Sequence, residues 1–174
     1  MGWQYSAYTV ALLPIAAVLF GLAVFSWRKR AQVGARELGA ILLMVGLWCG
    51  VYAVELASAD LHSELLMARM EYLGIATIPV LWLVFVITYT GGPARLTGSR
   101  LAALYMVPLA TLLLVWTNDY HGLFYTHVGQ SEHDGLWFLD VAHGPGFWFH
   151  AVYAYSLLAV ATLPAFAKDT LHLY

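Results

Sequence analysis

The chain begins with the apolar run YSAYTVALLPIAAVLFGLAVFSW at residues 5–27, which Arg28, Lys29 and Arg30 follow directly. A helix needs about 20 apolar residues to cross the hydrocarbon core of a bilayer. Because every backbone N–H and C=O group inside a bilayer must be bonded internally, a run of this length predicts a helix. The basic residues follow the run instead of preceding it, and the run is too long for a signal-peptide core, so we interpret it as a retained membrane span.

Four further runs of similar character follow, at residues 38–57, 67–90, 101–116 and 147–167. Hydrophobic residues make up 61% of the chain and charged residues 10%, a balance typical of an integral membrane protein. The sequence therefore predicts a single domain, residues 1–174, with an all-α fold: a bundle of five transmembrane helices. The lipid bilayer is its predicted partner, and the net charge of −2 implies no nucleic-acid partner.

The basic residues are divided unequally between the connections. Of the eight lysines and arginines, only Arg69 lies outside the first connection, the third connection and the tail. Because lysine and arginine are retained in the cytoplasm, this distribution predicts an N-terminus outside the cell and a C-terminus inside, in a multi-pass protein of the cell membrane. The other seven residues are Arg28, Lys29, Arg30, Arg36, Arg95, Arg100 and Lys168.

The fourth connection, residues 118–146, is the only long one, and a connection of this length should have structure of its own. Residues 123–128 and 136–141 are rich in aromatic and β-branched side chains, and the segment 129–135 between them is rich in turn-forming residues. This pattern predicts an extracytoplasmic β-hairpin between helices four and five.

Five of the seven histidines lie in or beside this loop. Three interpretations stay open: a metal site, sensitivity to pH, or a solvent-exposed aromatic loop. Their spacing places no two of them on adjacent turns of one helix, and the sequence predicts no metal and no other cofactor. The five are His121, His127, His133, His143 and His150.

The second run contains both a small-residue pair and an acidic residue. Gly46 and Gly50 form a GxxxG pair that favours close helix packing, either within the bundle or at a homodimer interface. Glu55 shares a helical face with Trp48 and Tyr52. A charge at mid-bilayer costs about 2.5–3.5 kcal/mol on insertion scales, so Glu55 should have a partner or contact water.

Three interpretations of Glu55 stay open. It forms an ion pair with Arg69, the only cation on the predicted outer side; it senses a ligand or protons; or it is exposed at the interface. Glu71 is predicted to begin the third helix, where it either complements the helix dipole or belongs to a site, with Trp82 three turns deeper on the same face.

The polar residues that follow the fourth run have two interpretations. Asn118, Asp119 and His121 either reverse the direction of the chain or bind a ligand. No arrangement of serine, histidine and aspartate with supporting context, no zinc-protease motif and no nucleotide-binding motif is present, so nothing in the sequence argues for catalysis.

Several motifs follow one another in a distinctive order: WCGVYAVELA at residues 48–57, EYLGIATIPVLWLVF at 71–85, TNDYHGLF at 117–124 and GPGFWFHAVYAY at 144–155. This ordered set resembles the N-terminal seven-helix sensor region of bacterial and archaeal histidine kinases, over nearly the whole chain. The resemblance implies an input module in a prokaryotic inner membrane. Such a module transmits an unknown extracytoplasmic or bilayer signal to a cytoplasmic kinase domain, in the same chain or in a separate partner.

The chain ends at Tyr174, after its fifth apolar run. We therefore expect it to lack the sixth and seventh helices of the pattern and the kinase core, and to have no enzymatic activity by itself. Shared depth and the family pattern together predict a ligand pocket in the outer half of the bundle. Its candidate residues are Tyr52, Glu55, Glu71, Trp82, Asn118, His121 and Tyr153.

Two other classes of function remain as alternatives to a sensor. One is a non-catalytic small membrane subunit or scaffold, assembled by helix packing through Gly46 and Gly50. The other is a transporter or proton carrier that uses Glu55, which lacks support because the sequence offers only one deep carboxylate.

Overall fold

The computed structural model describes residues 2–5, 7–91 and 97–171, the last eight of them as helical backbone only. Within this part of the chain, five helices are long and apolar enough to cross a membrane, which confirms the predicted number of spans. They are α1 (Ala7–Arg28), α2 (Ala35–Ala57), α3 (Leu61–Tyr89), α4 (Gly98–Trp116) and α6 (Pro145–Leu171). The remaining elements are the one-turn helix α5 (Asn118–His121) and the strands β1 (Tyr125–His133) and β2 (Leu136–His143). Arg95 and the side chain of Lys168, two cations of the topology prediction, lie outside the described residues.

Helix α3 begins at Leu61, six residues before its predicted start. The Asp60 carboxylate caps it by accepting a hydrogen bond from the backbone N–H of Ser63 over 3.0 Å. The same hydrogen bond holds the pKa of Asp60 below its usual range. Glu71 therefore lies almost three turns inside the helix, and its predicted role at the helix N-terminus is wrong.

The first three helices pack in a row, with α2 between α1 and α3, and α3 also contacts α4 and α6. Gly46 and Gly50 face α1, because a Cβ at these positions would lie 3.2 Å from the Phe20 ring and 3.7 Å from the Ala16 Cβ. Helix α1 of the same chain therefore packs against the GxxxG pair. On the other side of α2, a Cβ at Gly74 would lie 2.7 Å from the carbonyl oxygen of Met44, so α2 and α3 also approach closely.

The predicted β-hairpin is present, but its turn is shorter than expected. Residues 129–133 were predicted to belong to the turn and instead extend β1, so the two antiparallel strands meet at Asp134 and Gly135. Both residues have positive φ, 53° and 78°, as a two-residue type I′ turn requires. An Asp-Gly pair suits such a turn because both residues tolerate this conformation, and the strands can therefore run to its edges.

The hairpin covers one end of the helix bundle, which we call the hairpin end. The Gln4 side chain bonds reciprocally with the backbone of Trp137, at 2.7 and 2.8 Å. Gln130 in β1 donates to a carboxylate oxygen of Glu64 in α3 over 3.0 Å. Arg28 is the last residue of α1 and lies at the opposite end of the bundle, which we call the basic end. Beneath the hairpin lies a hydrophobic core of Tyr72, Val115, Phe124 and Tyr125.

Candidate functional site

Two carboxyl groups meet between α2 and α3, near the hairpin end. The side chains of Glu55 and Glu71 lie within hydrogen-bonding reach of each other. Trp48 Nε1 donates to Oε2 of Glu71 over 3.2 Å, whereas Oε1 of Glu71 is buried and, apart from a protonated Glu55 carboxyl group, has no donor among the described residues. An ionised carboxylate only accepts hydrogen bonds, so two of them bond each other only when a proton lies between them.

Arg69, the candidate ion-pair partner of Glu55, is paired with another residue. Arg69 forms its ion pair with Asp119 over 2.5 Å, and the predicted pair between Glu55 and Arg69 does not form between these two described residues. Arg69 lies two positions before Glu71, which places the two side chains on opposite sides of α3. Glu71 accordingly contacts Trp48 of α2, whereas Arg69 contacts Asp119 in the α4–α5 corner.

Glu64 adds a third carboxyl group to this region. Its side chain is only 1% exposed; Gln130 donates to Oε2, and Oε1 has no hydrogen-bond partner in the described part of the chain. Glu64 is not among the residues predicted for the site, although its seven-residue spacing from Glu71 places both on one face of α3. No three His, Cys, Asp or Glu residues among the described ones are grouped so that they could hold a metal ion.

Tyr52 lies near the carboxyl pair and also lines a cleft, although neither Glu55 nor Glu71 belongs to the lining of that cleft. The phenol of Tyr52 lies within electrostatic range of Glu55, Glu71 and Tyr8. The cleft has a volume of about 400 Å³ and is bounded by α1, α2 and β2. Its lining residues are Tyr8, Ala11, Leu12, Tyr52, Leu56 and Phe138. Three of the seven candidate pocket residues, Tyr52, Glu55 and Glu71, are therefore brought together.

The other four candidates have separate surroundings. Trp82 lies about 16 Å along α3 from Glu71, toward the basic end, where it packs on Phe85 with ring centroids 5.6 Å apart. Tyr153 in α6 donates to the carbonyl oxygen of Leu104 in α4 over 2.5 Å. These two side chains belong to helix contacts and not to the carboxyl pair.

Asn118 and His121 shape the corner that follows α4. The buried side chain of Asn118 accepts from the N–H groups of Phe124 and Tyr125 at 2.9 and 3.0 Å, and donates to the Tyr125 carbonyl oxygen at 3.0 Å. His121 Nδ1 accepts from the N–H of Leu123 over 2.9 Å, and its Nε2 lies 3.0 Å from the Thr117 hydroxyl. These contacts favour the chain-reversal interpretation of the cluster.

Two histidines of the loop region contact the core. His143 packs against Phe147 with ring centroids 3.8 Å apart and ring planes tilted by 39°, and partial burial lowers the pKa of its imidazole. His150 is 3% exposed, and its Nδ1 lies 3.2 Å from the hydroxyl of Thr111. Burial also raises the pKa of the neighbouring Tyr125, so this phenol stays neutral.

A family described as the N-terminal 7TM region of histidine kinase matches the chain over residues 11–168. The chain belongs to this family. The match takes in the carboxyl pair, the hairpin and most of each spanning helix, and it covers the sensor region without a kinase core. No curated protein and no solved structure matches the chain. With five apolar helices and this family membership, the chain is a multi-pass membrane module.

Proposed function

We propose that this chain is a sensory input module that transmits an extracytoplasmic or bilayer signal to a histidine kinase in the cytoplasm. The kinase domain belongs either to the same polypeptide or to a separate partner. The hairpin end faces the outside of a prokaryotic inner membrane, and the basic end, with Arg28, Lys29 and Arg30, faces the cytoplasm.

The observation that carries this proposal is the contact between Glu55 and Glu71. Two unpaired carboxylates side by side repel each other, and burying either one in apolar surroundings is costly. The α2–α3 contact is therefore stable only when a proton or another cation neutralises the pair. Occupancy of the pair thus selects between a closed and an open arrangement of the two helices.

Both helices run the length of the bundle, from the hairpin end to the basic end, so a change in their contact alters the basic end as well. The mechanism is a population shift between two arrangements. The signal can be no larger than the difference in the stimulus's affinity for the two arrangements.

This proposal is tested by measuring the distance between two spin labels at the basic end, on exposed positions of the α1–α2 connection and of α4. Gln32→Cys and Ser99→Cys would be introduced into a Cys49→Ala background, because Cys49 is the only cysteine in the chain. In nanodiscs between pH 4 and 9, we expect two distances whose proportions change with pH. The double variant Glu55→Gln, Glu71→Gln should show one distance at every pH.

Glu132→Gln, which alters an exposed carboxyl group of the hairpin, is the matched control. It should show the same pH-dependent distances as the protein in which Glu55 and Glu71 are intact. A distance distribution that neither pH nor the double substitution changes would contradict the proposal. The scaffold alternative has less support, because α1 of the same chain already covers Gly46 and Gly50. A homodimer would have to use another face.

A further inference from the structure

A second cleft lies at the basic end, where α1, α2, α3 and the α1–α2 connection meet. Its volume is about 620 Å³. The lining changes from polar to apolar along the bundle, because Lys29 and Gln32 belong to the connection whereas Leu22 and Leu42 lie within the helices. Leu22 precedes the last residue of α1 by six positions, so the apolar part of the cleft extends about 9 Å into the bundle.

Contacts within the protein hold the walls of this cleft in place. Gly34 has a positive φ of 79°, and a Cβ there would lie 3.1 Å from the Phe85 ring, so the connection folds closely against α3. The Phe85 and Tyr89 rings stack with centroids 5.5 Å apart. The hydroxyl of Ser26 donates to the carbonyl oxygen of Ala35 over 2.7 Å and links α1 to α2. The cleft is therefore formed before any ligand arrives, as ligand sites usually are.

One side of the cleft faces the surrounding lipid. Leu22 and Phe25 line it and are 46% and 60% exposed in the isolated chain, and both belong to the membrane-spanning helix α1. Tyr89 lines it near the end of α3, and tyrosine rings favour the boundary between hydrocarbon and headgroups. A lipid in the bilayer can therefore enter the cleft sideways, with its headgroup at the basic end.

The basic end carries an excess of positive charge that the protein does not neutralise. Residues 28–37 contain four basic residues and one acidic residue. Within the described part of the chain, the ion pair that forms joins Arg69 to Asp119 and leaves the four cations of this segment without one. Lys29 is the member of the four that lines the cleft. An anion attached to an apolar chain complements both the cation and the apolar walls.

We propose that this cleft binds an anionic phospholipid, with its phosphate at Lys29 and Gln32 and an acyl chain along Leu22, Leu38 and Leu42. The lysine ammonium and the glutamine amide both donate hydrogen bonds, which phosphate oxygens accept. Basic pockets between membrane-spanning helices are suited to anionic lipid headgroups. This inference goes beyond the proposed sensory function, because it concerns another site and does not depend on the Glu55–Glu71 pair.

The test counts the lipids bound to the full chain by native mass spectrometry, after release from a neutral detergent. Two lipids with identical palmitoyl and oleoyl chains would be titrated, the anionic phosphatidylglycerol and the zwitterionic phosphatidylcholine. We expect the first phosphatidylglycerol to bind about fivefold more tightly than the first phosphatidylcholine, since one cation near a lipid headgroup is worth about this factor. Equal affinities of the two lipids would overturn the proposal.

Two charge variants separate a defined site from general attraction. Lys29→Gln should remove the preference for phosphatidylglycerol. Arg30→Gln changes the net charge of the same connection equally but alters a residue that does not line the cleft, so it should keep the preference. An equal loss in both variants, or a preference that survives Lys29→Gln, would overturn the proposal.

A second pair of variants tests the apolar part of the cleft. Leu38→Trp places a larger side chain in the lining and should weaken the binding of phosphatidylglycerol about tenfold. Leu109→Trp, at an exposed position of α4 outside the cleft, should leave binding unchanged. Unchanged binding in Leu38→Trp would contradict the assigned position of the acyl chain. If Lys29→Gln does not fold, this pair and the comparison of the two lipids still decide.

A soluble competitor distinguishes a lipid from a free phosphate ester. Glycerol phosphate has the headgroup chemistry without acyl chains, and a millimolar excess of it should not displace the bound phosphatidylglycerol. Displacement would assign the cleft to a soluble phosphate ester and overturn the lipid proposal.

Discussion

The hydroxyl of Tyr153 in α6 donates a hydrogen bond to the carbonyl oxygen of Leu104 in α4 over 2.5 Å. In an uninterrupted helix this carbonyl would accept from the N–H of the residue at position 108, but that residue is proline and has no N–H. A kink-forming proline and a tyrosine on a neighbouring helix thus form one structural unit. Neighbouring helices are one of the means by which membrane proteins satisfy such freed carbonyls.

Tyr153→Phe should destabilise the packing of α4 on α6 by about 0.5–1.5 kcal/mol, because it removes one interhelical hydrogen bond. In a Pro108→Ala background, where the helix can bond the Leu104 carbonyl itself, the same substitution should cost less. Unfolding free energies of the four proteins, measured in bicelles, give the coupling energy between the two positions. Strict additivity would contradict the proposed unit.

Gly74→Ala should destabilise the bundle by about 1–3 kcal/mol, since the new methyl group would meet the Met44 carbonyl oxygen at 2.7 Å and force α2 and α3 apart. Gly21→Ala is the matched control, because a Cβ at Gly21 meets nothing within 4 Å. Unfolding of both variants in bicelles is the measurement. A Gly74→Ala protein as stable as the Gly21→Ala protein would show that the two helices are not closely packed.

Asn118→Ala should lower the stability of the loop and its core by about 1–3 kcal/mol, because it leaves buried backbone groups of Phe124 and Tyr125 without partners. Tyr120→Ala, on the same turn, should have little effect, since Tyr120 is 91% exposed. Hydrogen exchange of β1 reports the loss. If Asn118→Ala kept full stability and instead lost the response to a ligand, the structural role would be refuted.

Gly135→Ala should weaken the hairpin by about 1–2 kcal/mol, because alanine is strained at the positive φ of 78° that the turn requires. Asp134→Asn should be neutral, since asparagine also adopts positive φ readily. Amide exchange across β1 and β2 would measure both effects. Equal protection in the two variants would exclude the type I′ turn.

The contact of His143 with Phe147 should weaken in acid. Partial burial lowers the pKa of the largely exposed His143, so the unfolded state binds a proton more readily than the folded state. The stability of this contact is therefore complete above the ordinary histidine pKa of about 6.5 and falls as the pH drops below it. Exchange protection of β2, corrected for intrinsic rates, should decline between pH 8 and 5, whereas His143→Phe should remove the decline.

The sequence was sufficient for the helices and the hairpin because both have local signals. An apolar run such as residues 5–27 predicts its span without knowledge of its neighbours. The early start of α3 also had a local signal, Asp60 followed by Ser63 and Glu64, which the hydropathy pattern obscured. The short turn likewise had a local signal, because the dipeptide Asp134-Gly135 is typical of a two-residue hairpin turn.

The partners of the charged residues could not be predicted in the same way. Charge alone favoured a pair between Glu55 and Arg69, but the rotation of α3 turns Arg69 toward Asp119 and Glu71 toward Glu55. The face that α3 turns toward α2 also carries Gly74, where the two helices approach closely, and such a contact between distant segments leaves no local signal in the sequence. Trp82 was separated from the site for a simpler reason, since eleven residues of helix extend about 16 Å.

The most direct test of the central claim is phosphorylation in native membranes. The protein would be precipitated from solubilised membranes with an antibody against residues 125–143 and incubated with radiolabelled ATP. We expect acid-labile phosphate on a histidine of the precipitated polypeptide or of a partner that co-precipitates, in an amount that Glu55→Gln changes and Glu132→Gln does not. No such phosphate, or the same amount in all three proteins, would contradict a sensory role for the Glu55–Glu71 pair.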